Sequence, residues 1–284
     1  MTLSSLGIAH LYRYSVGKAA IHMDGTFNQS AATSLIVVIS VAAFFLTAVS
    51  GYAVRSLLVG RRHDEKLQRL GGTMLLGAWF MEAVYWAIRA PGKLFARLGV
   101  KPDTLTIISL LLTLAAAPIA AVGHFSTAGL LFLVGSAFDA LDGMVARETG
   151  AVKKSGAMLD SVFDRYSDAA PMIGLAIFYR FSVWQMLLPL VALMGSQLVS
   201  YVRAKAEAMD LSLPSTLMRR HERVAYISGA LILAPLLSPV LGNPWGAVHP
   251  ATLTIILIVA LVSNLVAVQL LIAARKLLDA KERG

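Results

Sequence analysis

Apolar residues recur along this chain in runs long enough to cross a bilayer, separated by short polar breaks. The runs fall at about 34–54, 104–122, 126–146, 157–178, 184–202, 222–241 and 251–274. A hydrocarbon core of about 30 Å needs roughly 20 mainly apolar residues in helical form, and these runs match that length. Residues 72–98 break the pattern, because Trp79, Phe80, Tyr85, Trp86 and Phe95 alternate with Glu82, Arg89, Lys93 and Arg97. That mixture predicts a helix lying at the membrane interface, with a further core span as the alternative. The expected fold class is all-α integral membrane: a six-transmembrane-helix core, an interfacial helix and one extra N-terminal transmembrane helix. Two regions are expected, an extension over 1–71 (one anchor and a basic linker) and a membrane domain over 72–284.

Composition agrees. The chain is 57% hydrophobic and 14% charged, whereas soluble domains carry about 25% charged residues. The net charge of +9 is unevenly placed. Arg55, Arg61, Arg62, Lys66 and Arg69 follow the first run, Lys93, Arg97 and Lys101 precede the second, and Arg147, Lys153 and Lys154 lie between the third and fourth. Arg203, Lys205, Arg219, Arg220 and Arg223 surround the break between the fifth and sixth, and Arg275, Lys276, Lys281 and Arg283 close the chain. All fall on one side of the drawn topology, whose opposite breaks hold only Arg180. The positive-inside rule makes the basic side cytoplasmic and predicts a multi-pass protein of the cell inner membrane. The charge therefore reads as membrane surface and anionic ligands, with no basic-aromatic module for nucleic acid. Cysteine is absent, which excludes disulfides and zinc–thiolate sites. Met1–Ala32 lacks a signal peptide's layout and reads as a short non-cytoplasmic tail before an uncleaved anchor.

The chemistry concentrates in Phe138–Arg147 and Gly156–Asp164. An isolated carboxylate near the bilayer centre costs about 2.5–3.5 kcal/mol on insertion scales, so a cluster of them needs a bound partner. Asp139 and Asp142 are i,i+3 neighbours and Asp160 and Asp164 are i,i+4 neighbours, so each pair shares a helix face. Two facing pairs make an oxygen-rich cage suited to hard divalent cations, Mg2+ or Mn2+, and carboxylates from two helices can hold two ions. Gly143 and Gly156 let backbone or ligand approach closely, and Arg147 offers a fork of donors for phosphate.

The run reads D-x2-D-G-x2-A-R-x8-G-x3-D-x3-D with every position filled, and it resembles the signature of the CDP-alcohol phosphotransferase family over roughly residues 75–275. The resemblance implies a membrane enzyme that cleaves a CDP-alcohol, releases CMP and joins the phosphoalcohol to an acceptor hydroxyl. It implies Asp139, Asp142, Asp160 and Asp164 as ligands of two metal ions, and Asp164 also as general base. It adds Asp103 and Thr106, in Lys101-Pro102-Asp103-Thr104-Leu105-Thr106, as contacts to the nucleotide end of the CDP-lipid, beside Gly143, Arg147, Lys153 and Gly156. Lys154 reads as a topology marker. A homodimer is likewise what the resemblance implies.

A second constellation comprises Ser200-Tyr201-Val202-Arg203-Ala204-Lys205, then Arg219-Arg220-His221-Glu222-Arg223. Bases at one helix end and at the next helix start would make an anion pocket beside the cage; the alternative is a plain basic cytoplasmic loop. Here the chain is similar to the bacterial phosphatidylinositol-phosphate synthase branch. Ser200, Arg203, Lys205 and Arg223 match its acceptor positions, with lysine and arginine exchanged. The branch places a further arginine after a Val-Gln pair, where this chain has Val268-Gln269-Leu270. His221 reads as an acceptor contact or an interfacial polar residue, the latter being favoured.

The expected activity is thus phosphatidyl transfer from CDP-diacylglycerol to a phosphorylated polyol, inositol 1-phosphate being favoured, within the lipid bilayer. Serine, glycerol phosphate or another polyol as acceptor is the alternative within the same chemistry. A cation channel or transporter using the aspartates as an ion path is the reading from another class. A catalytically dead scaffold is disfavoured because no motif position is lost.

Overall fold

A computed structural model describes the backbone of residues 4–60, 77–242 and 249–283, with side chains for 32–60, 79–242 and 249–283. Eight helices make up its regular structure among the described residues: α1 (Ser4–Val59), α2 (Gly77–Arg97), α3 (Pro102–Ala121), α4 (Phe125–Glu148), α5 (Lys154–Phe178), α6 (Val183–Glu207), α7 (Arg220–Leu241) and α8 (Pro250–Arg283). The expected boundary at 71/72 and the bases Arg61, Arg62, Lys66 and Arg69 lie outside the described residues.

Among the described residues, six segments are long and apolar enough to cross a membrane: Ala32–Val59 of α1, then α3, α4, α6, α7 and α8. The protein is a multi-pass membrane protein. Helix α5 fails that criterion although its 25 residues reach about 37 Å, because Lys154, Asp160, Asp164, Arg165 and Asp168 make it too polar. It completes the six-helix core by packing on α3 and α6. Helix α1 departs from expectation: the tail expected over Met1–Ala32 is helical from Ser4 and continues without a break into the anchor. Helix α2 occupies the stretch expected at the interface and is not among the spans.

Local signals set the helix ends. Pro102 opens α3, where a fixed φ and missing N–H cost nothing, and Asp103 sits in the first turn. Gly123 (φ 92°) and Gly150 (φ 67°) take the left-handed conformation in the breaks before α4 and α5, which glycine adopts at least cost. At α7 the Glu222 carboxylate reaches back to accept from the Arg219 backbone N–H at 3.1 Å.

Lipid offers no hydrophobic drive between helices, so close contact depends on small residues. A Cβ at Gly135 of α4 would meet Thr113 of α3 at 2.5 Å, and one at Gly129 would meet Leu231 of α7 at 2.8 Å. A Cβ at Gly174 of α5 would run into the Ala117 carbonyl of α3. Gly195 of α6 receives Asn264 of α8, whose amide donates to the Val191 carbonyl at 3.0 Å. The core so formed buries Phe125, Phe132, Met172, Leu231 and Ile256. A smaller cluster, Ile88, Leu105, Leu141 and Val145, ties α2 to α3 and α4 at the end of the bundle that holds the carboxylates.

Candidate active site

Asp139 and Asp142 lie in the second half of α4, and Asp160 and Asp164 in the first half of α5. The break at 149–153 folds α5 back beside α4, so the two acidic faces meet. Asp139, Asp142 and Asp160 each place a carboxylate oxygen within 4.8 Å of the others. Asp142, 6% exposed, is oriented by Thr106 of α3, whose hydroxyl lies 2.6 Å from Oδ2 and 3.1 Å from the Pro102 carbonyl. All donors are hard oxygens on rigid helices, a set that suits a divalent cation of the magnesium or manganese kind. Asp164 is not in this triplet.

Two cavities meet at these carboxylates, both lined by Asp142, Gly143, Arg147 and Asp160. The first, of about 470 Å³, is walled by Lys101, Pro102, Asp103, Thr106 and the loop 151–157. All six residues expected at the CDP-lipid line it: Asp103, Thr106, Gly143, Arg147, Lys153 and Gly156. The glycines have local reasons. A Cβ on Gly143 would press on Arg147 Nη1 at 3.3 Å, and one on Gly156 would approach Asp103 Oδ1 at 3.7 Å. Lys154 is exposed and outside this lining.

The second cavity, of about 590 Å³, runs from Asp139, Asp160 and Asp164 past Arg220 and His221 to an apolar wall. His221 therefore faces the site, contrary to its reading as a plain interfacial residue. Arg220 is the organising cation. Its Nη1 lies 2.5 Å from Asp139 Oδ2, its Nη2 2.8 Å from Asp164 Oδ1, and its Nε 3.3 Å from Asp168 Oδ1. The Asp164 contact is off the hydrogen-bond line. Asp168 in turn accepts from Arg223 Nη2 at 2.9 Å.

The expected acceptor pocket is only partly assembled. Ser200 and Arg223 meet, Nη2 lying 3.2 Å from the serine Oγ, but Arg223 is 2% exposed and its Nη1 donates to the Met218 carbonyl at 2.7 Å. Arg203 instead donates to Thr216 Oγ1 at 2.6 Å and to the Pro214 carbonyl, bracing the segment before α7. Lys205 is exposed. Loop bases have no fixed helical register to aim them, so sequence order did not predict their partners. Leu270 is fully buried beside Val199, Val266 and Ala267, so the position where the branch has arginine is dry core here.

Asp168 and Arg220 belong to the ion network of the candidate site, and the sequence did not single them out as site members. A signal for Asp168 existed: Asp160, Asp164 and Asp168 repeat at i, i+4 and i+8 on one face of α5. Nothing local singled out Arg220 from Arg219, because its partners lie 52 to 81 residues away.

Comparison with known proteins agrees with this geometry. Archaetidylinositol phosphate synthase of Pyrococcus horikoshii is 41% identical over 139 residues, covering 48% of this chain and 71% of that one. Phosphatidylinositol phosphate synthase of Mycobacteroides abscessus is 35% identical over 140 residues, covering 48% and 64%. Among solved structures, Mycobacterium tuberculosis phosphatidylinositol phosphate synthase with CDP-DAG bound superposes with a TM-score of 0.57 at 27% identity, covering 66% of this chain and 92% of that one. The same enzyme in complex with manganese and citrate gives 0.58 over 66% and 88%. The CDP-alcohol phosphatidyltransferase family model matches residues 100–277, the stretch holding the site's carboxylates and Arg147, Arg220 and Arg223. By that match and by the convergence of its motif on one cage, this chain belongs to the CDP-alcohol phosphatidyltransferase family.

Proposed function

We propose that the protein transfers the phosphatidyl group of CDP-diacylglycerol to a hydroxyl of a phosphorylated inositol, releasing CMP. The observation that carries this reading is the carboxylate triplet at the junction of two cavities. One cavity is built from the motif's phosphate-side residues; the other joins the same carboxylates to a wall of aromatic and aliphatic side chains. In the reaction the phosphorus–oxygen bond to CMP breaks, CMP leaves with the electron pair, and the acceptor oxygen bonds to phosphorus.

Asp139, Asp142 and Asp160 would hold divalent metal, with two ions and Asp164 as a further ligand as the fuller form of the proposal. When bound, the metal neutralises pyrophosphate and charge developing on CMP. Arg147 and Lys153 would orient the nucleotide phosphates, Thr106 fixes Asp142, and Asp103 lies across from Gly156 where the nucleotide end would pass. Asp164 would take the acceptor's proton. Arg220 now faces Asp164, its Nη2 2.8 Å from Oδ1, and so occupies that oxygen. An anionic acceptor entering beside Arg220 and His221 would engage the guanidinium and free the carboxylate. Ser200 and Arg223 would then support Arg220 through Asp168, with Arg203 and Lys205 at the outer basic surface.

The protein is proposed to lie in the plasma membrane with this site toward the cytoplasm, and to act as a homodimer. The basic residues around the cavities support the orientation. The cysteine-free sequence allows single-cysteine accessibility labelling at Lys154 and Phe181 to test it.

The testing assay offers labelled CDP-diacylglycerol with inositol 1-phosphate, free inositol, glycerol 3-phosphate or serine in parallel. Product with inositol 1-phosphate, dependent on magnesium or manganese, is expected. Full activity in excess chelator refutes the metal role, and preference for serine or free inositol refutes an anionic acceptor.

A further inference from the structure

Helix α1 precedes the family match, which begins at residue 100, yet it is not a detached anchor. It packs against α2, α4 and α7, the three helices that supply most of the second cavity. Its attachment to α2 is specific. The Tyr52 hydroxyl, on a side chain 2% exposed, donates to Glu82 at 2.8 Å. The Tyr52 ring lies 5.7 Å from Trp79 and 6.3 Å from Trp86. A Cβ on Gly51 would meet Trp86 at 3.0 Å, so glycine there sets the approach. Two turns toward the membrane interior, Phe45 stacks on Phe80 with centroids 5.7 Å apart and planes at 22°. Both rings line the cavity that ends at the carboxylates.

That cavity is amphiphilic along its length. One end holds Asp139, Asp160, Asp164 and Arg220; the other is walled by Phe45, Phe80, Met81, Val84 and Ile88. A free polyol phosphate has nothing to match the second end. A lipid whose phosphate sits at the carboxylates has an apolar chain that must leave in that direction or enter the bilayer directly.

We propose that α1 is part of the substrate site: Phe45, held on Phe80, forms the apolar wall against which an acyl chain of the activated lipid lies, and so helps set which chain lengths react. The inference rests on the phosphatidyl-transfer reading for its substrate. Phe45 lies ahead of both the family-matched segment and the stretch that carries the resemblance, so its share of the wall comes from this chain's N-terminal extension.

The test uses full-length protein in detergent micelles, with dioctanoyl and dioleoyl CDP-diacylglycerol competing in one reaction. Removing a phenyl ring from the wall should change the long-to-short ratio of CMP-forming turnover by roughly fivefold or more for Phe45→Ala. Phe45→Trp should move the ratio the other way. Leu46→Ala, at a lipid-facing position 66% exposed, should leave it within twofold of wild type. A second readout is independent of turnover. Phe45→p-benzoylphenylalanine should crosslink labelled CDP-diacylglycerol, and excess unlabelled CDP-diacylglycerol should suppress the adduct. CMP formation with an unchanged ratio in both Phe45 variants overturns the wall and leaves the activity standing. No CMP formation by wild type overturns the activity, and the crosslink then decides the wall: a competed adduct upholds it, and no competed adduct removes it.

Discussion

The two ends of the helix bundle handle buried polarity in opposite ways. At one end α4, α5 and α7 bring Asp139, Asp142, Asp160, Asp164 and Arg220 to the walls of open cavities. At the other, Phe125, Phe178, Tyr179 and His249 close on one another, with Phe125 4.8 Å from Phe178 and 4.6 Å from the His249 ring. His249 is 4% exposed and its Nδ1 is 2.7 Å from Ser238 Oγ. Burial lowers its pKa to about 4, so it stays neutral in the fold, and burial likewise pushes the Tyr179 phenol up. One end keeps charge accessible to ligands; the other keeps its polar groups uncharged and sealed. Changes at the first should therefore alter chemistry before stability, and changes at the second should do the reverse.

The largest effect is expected at the cage. Asp160→Asn or Asp139→Asn should lower CMP release by roughly 10³-fold or more, since metal sites tolerate loss of a ligand poorly, while the melting midpoint in detergent stays near wild type. A midpoint that falls with activity would erase the proposed contrast. Next is the inner ion network. Arg223→Ala removes the nearer partner of buried Asp168 and leaves it only Arg220 Nε at 3.3 Å; fully breaking a buried pair costs about 3–5 kcal/mol, so denaturant midpoints should fall by part of that even though the residue sits at the active end. This substitution sharpens the comparison by separating Arg223, a brace, from Arg220, which faces the cavity. Arg220→Gln should instead raise the acceptor's KM more than that of CDP-diacylglycerol.

Thr106→Val is a smaller version of the cage test. It removes one hydrogen bond to a charged group, worth about 1.5–3 kcal/mol, so activity at limiting metal should drop roughly ten- to a hundredfold and recover in part at high metal. At the sealed end, His249 supplies a pH test. Its folded pKa of about 4 lies below the unfolded value of 6.5, so the unfolded chain binds more protons between those values. Its stabilising effect is complete above pH 6.5 and is lost as pH falls toward 4, by up to about 3 kcal/mol. Thermal melts at pH 7.5 and 5 should show that loss, and His249→Asn should flatten it without changing CMP release at pH 7.5. The smallest effect is expected for Lys205→Ala, which should leave acceptor KM within about twofold; a larger change would return Lys205 to the acceptor site.

Why some of this was legible in the chain follows from its helices. Residues three or four apart on a helix share a face whatever the rest of the fold does. Asp139 with Asp142, and Asp160 with Asp164, therefore each share a helix face, and a short break with Gly150 brings Asp160 to the first pair. Hydropathy found the spans for the same reason: unpaired backbone polar groups cannot face lipid, so an apolar run of that length becomes a helix. It overstated α5, whose own carboxylates dilute its apolar character, and it did not foresee that α1 runs unbroken from Ser4.

What the sequence determined by itself is the membrane class, the acidic motif and its family resemblance, all read from runs of neighbouring residues along the chain. Tertiary structure alone decided which cation answers the carboxylates, that Arg203 braces a loop, that Leu270 is dry core, and that Phe45 reaches the site. Each of those is a contact between residues far apart in the chain. A guanidinium or a phenyl ring carries no sign of its partner until helix packing sets the distance, and Arg219 and Arg220 diverge because Arg219 is the extended N-cap of α7 while Arg220 is its first helical residue.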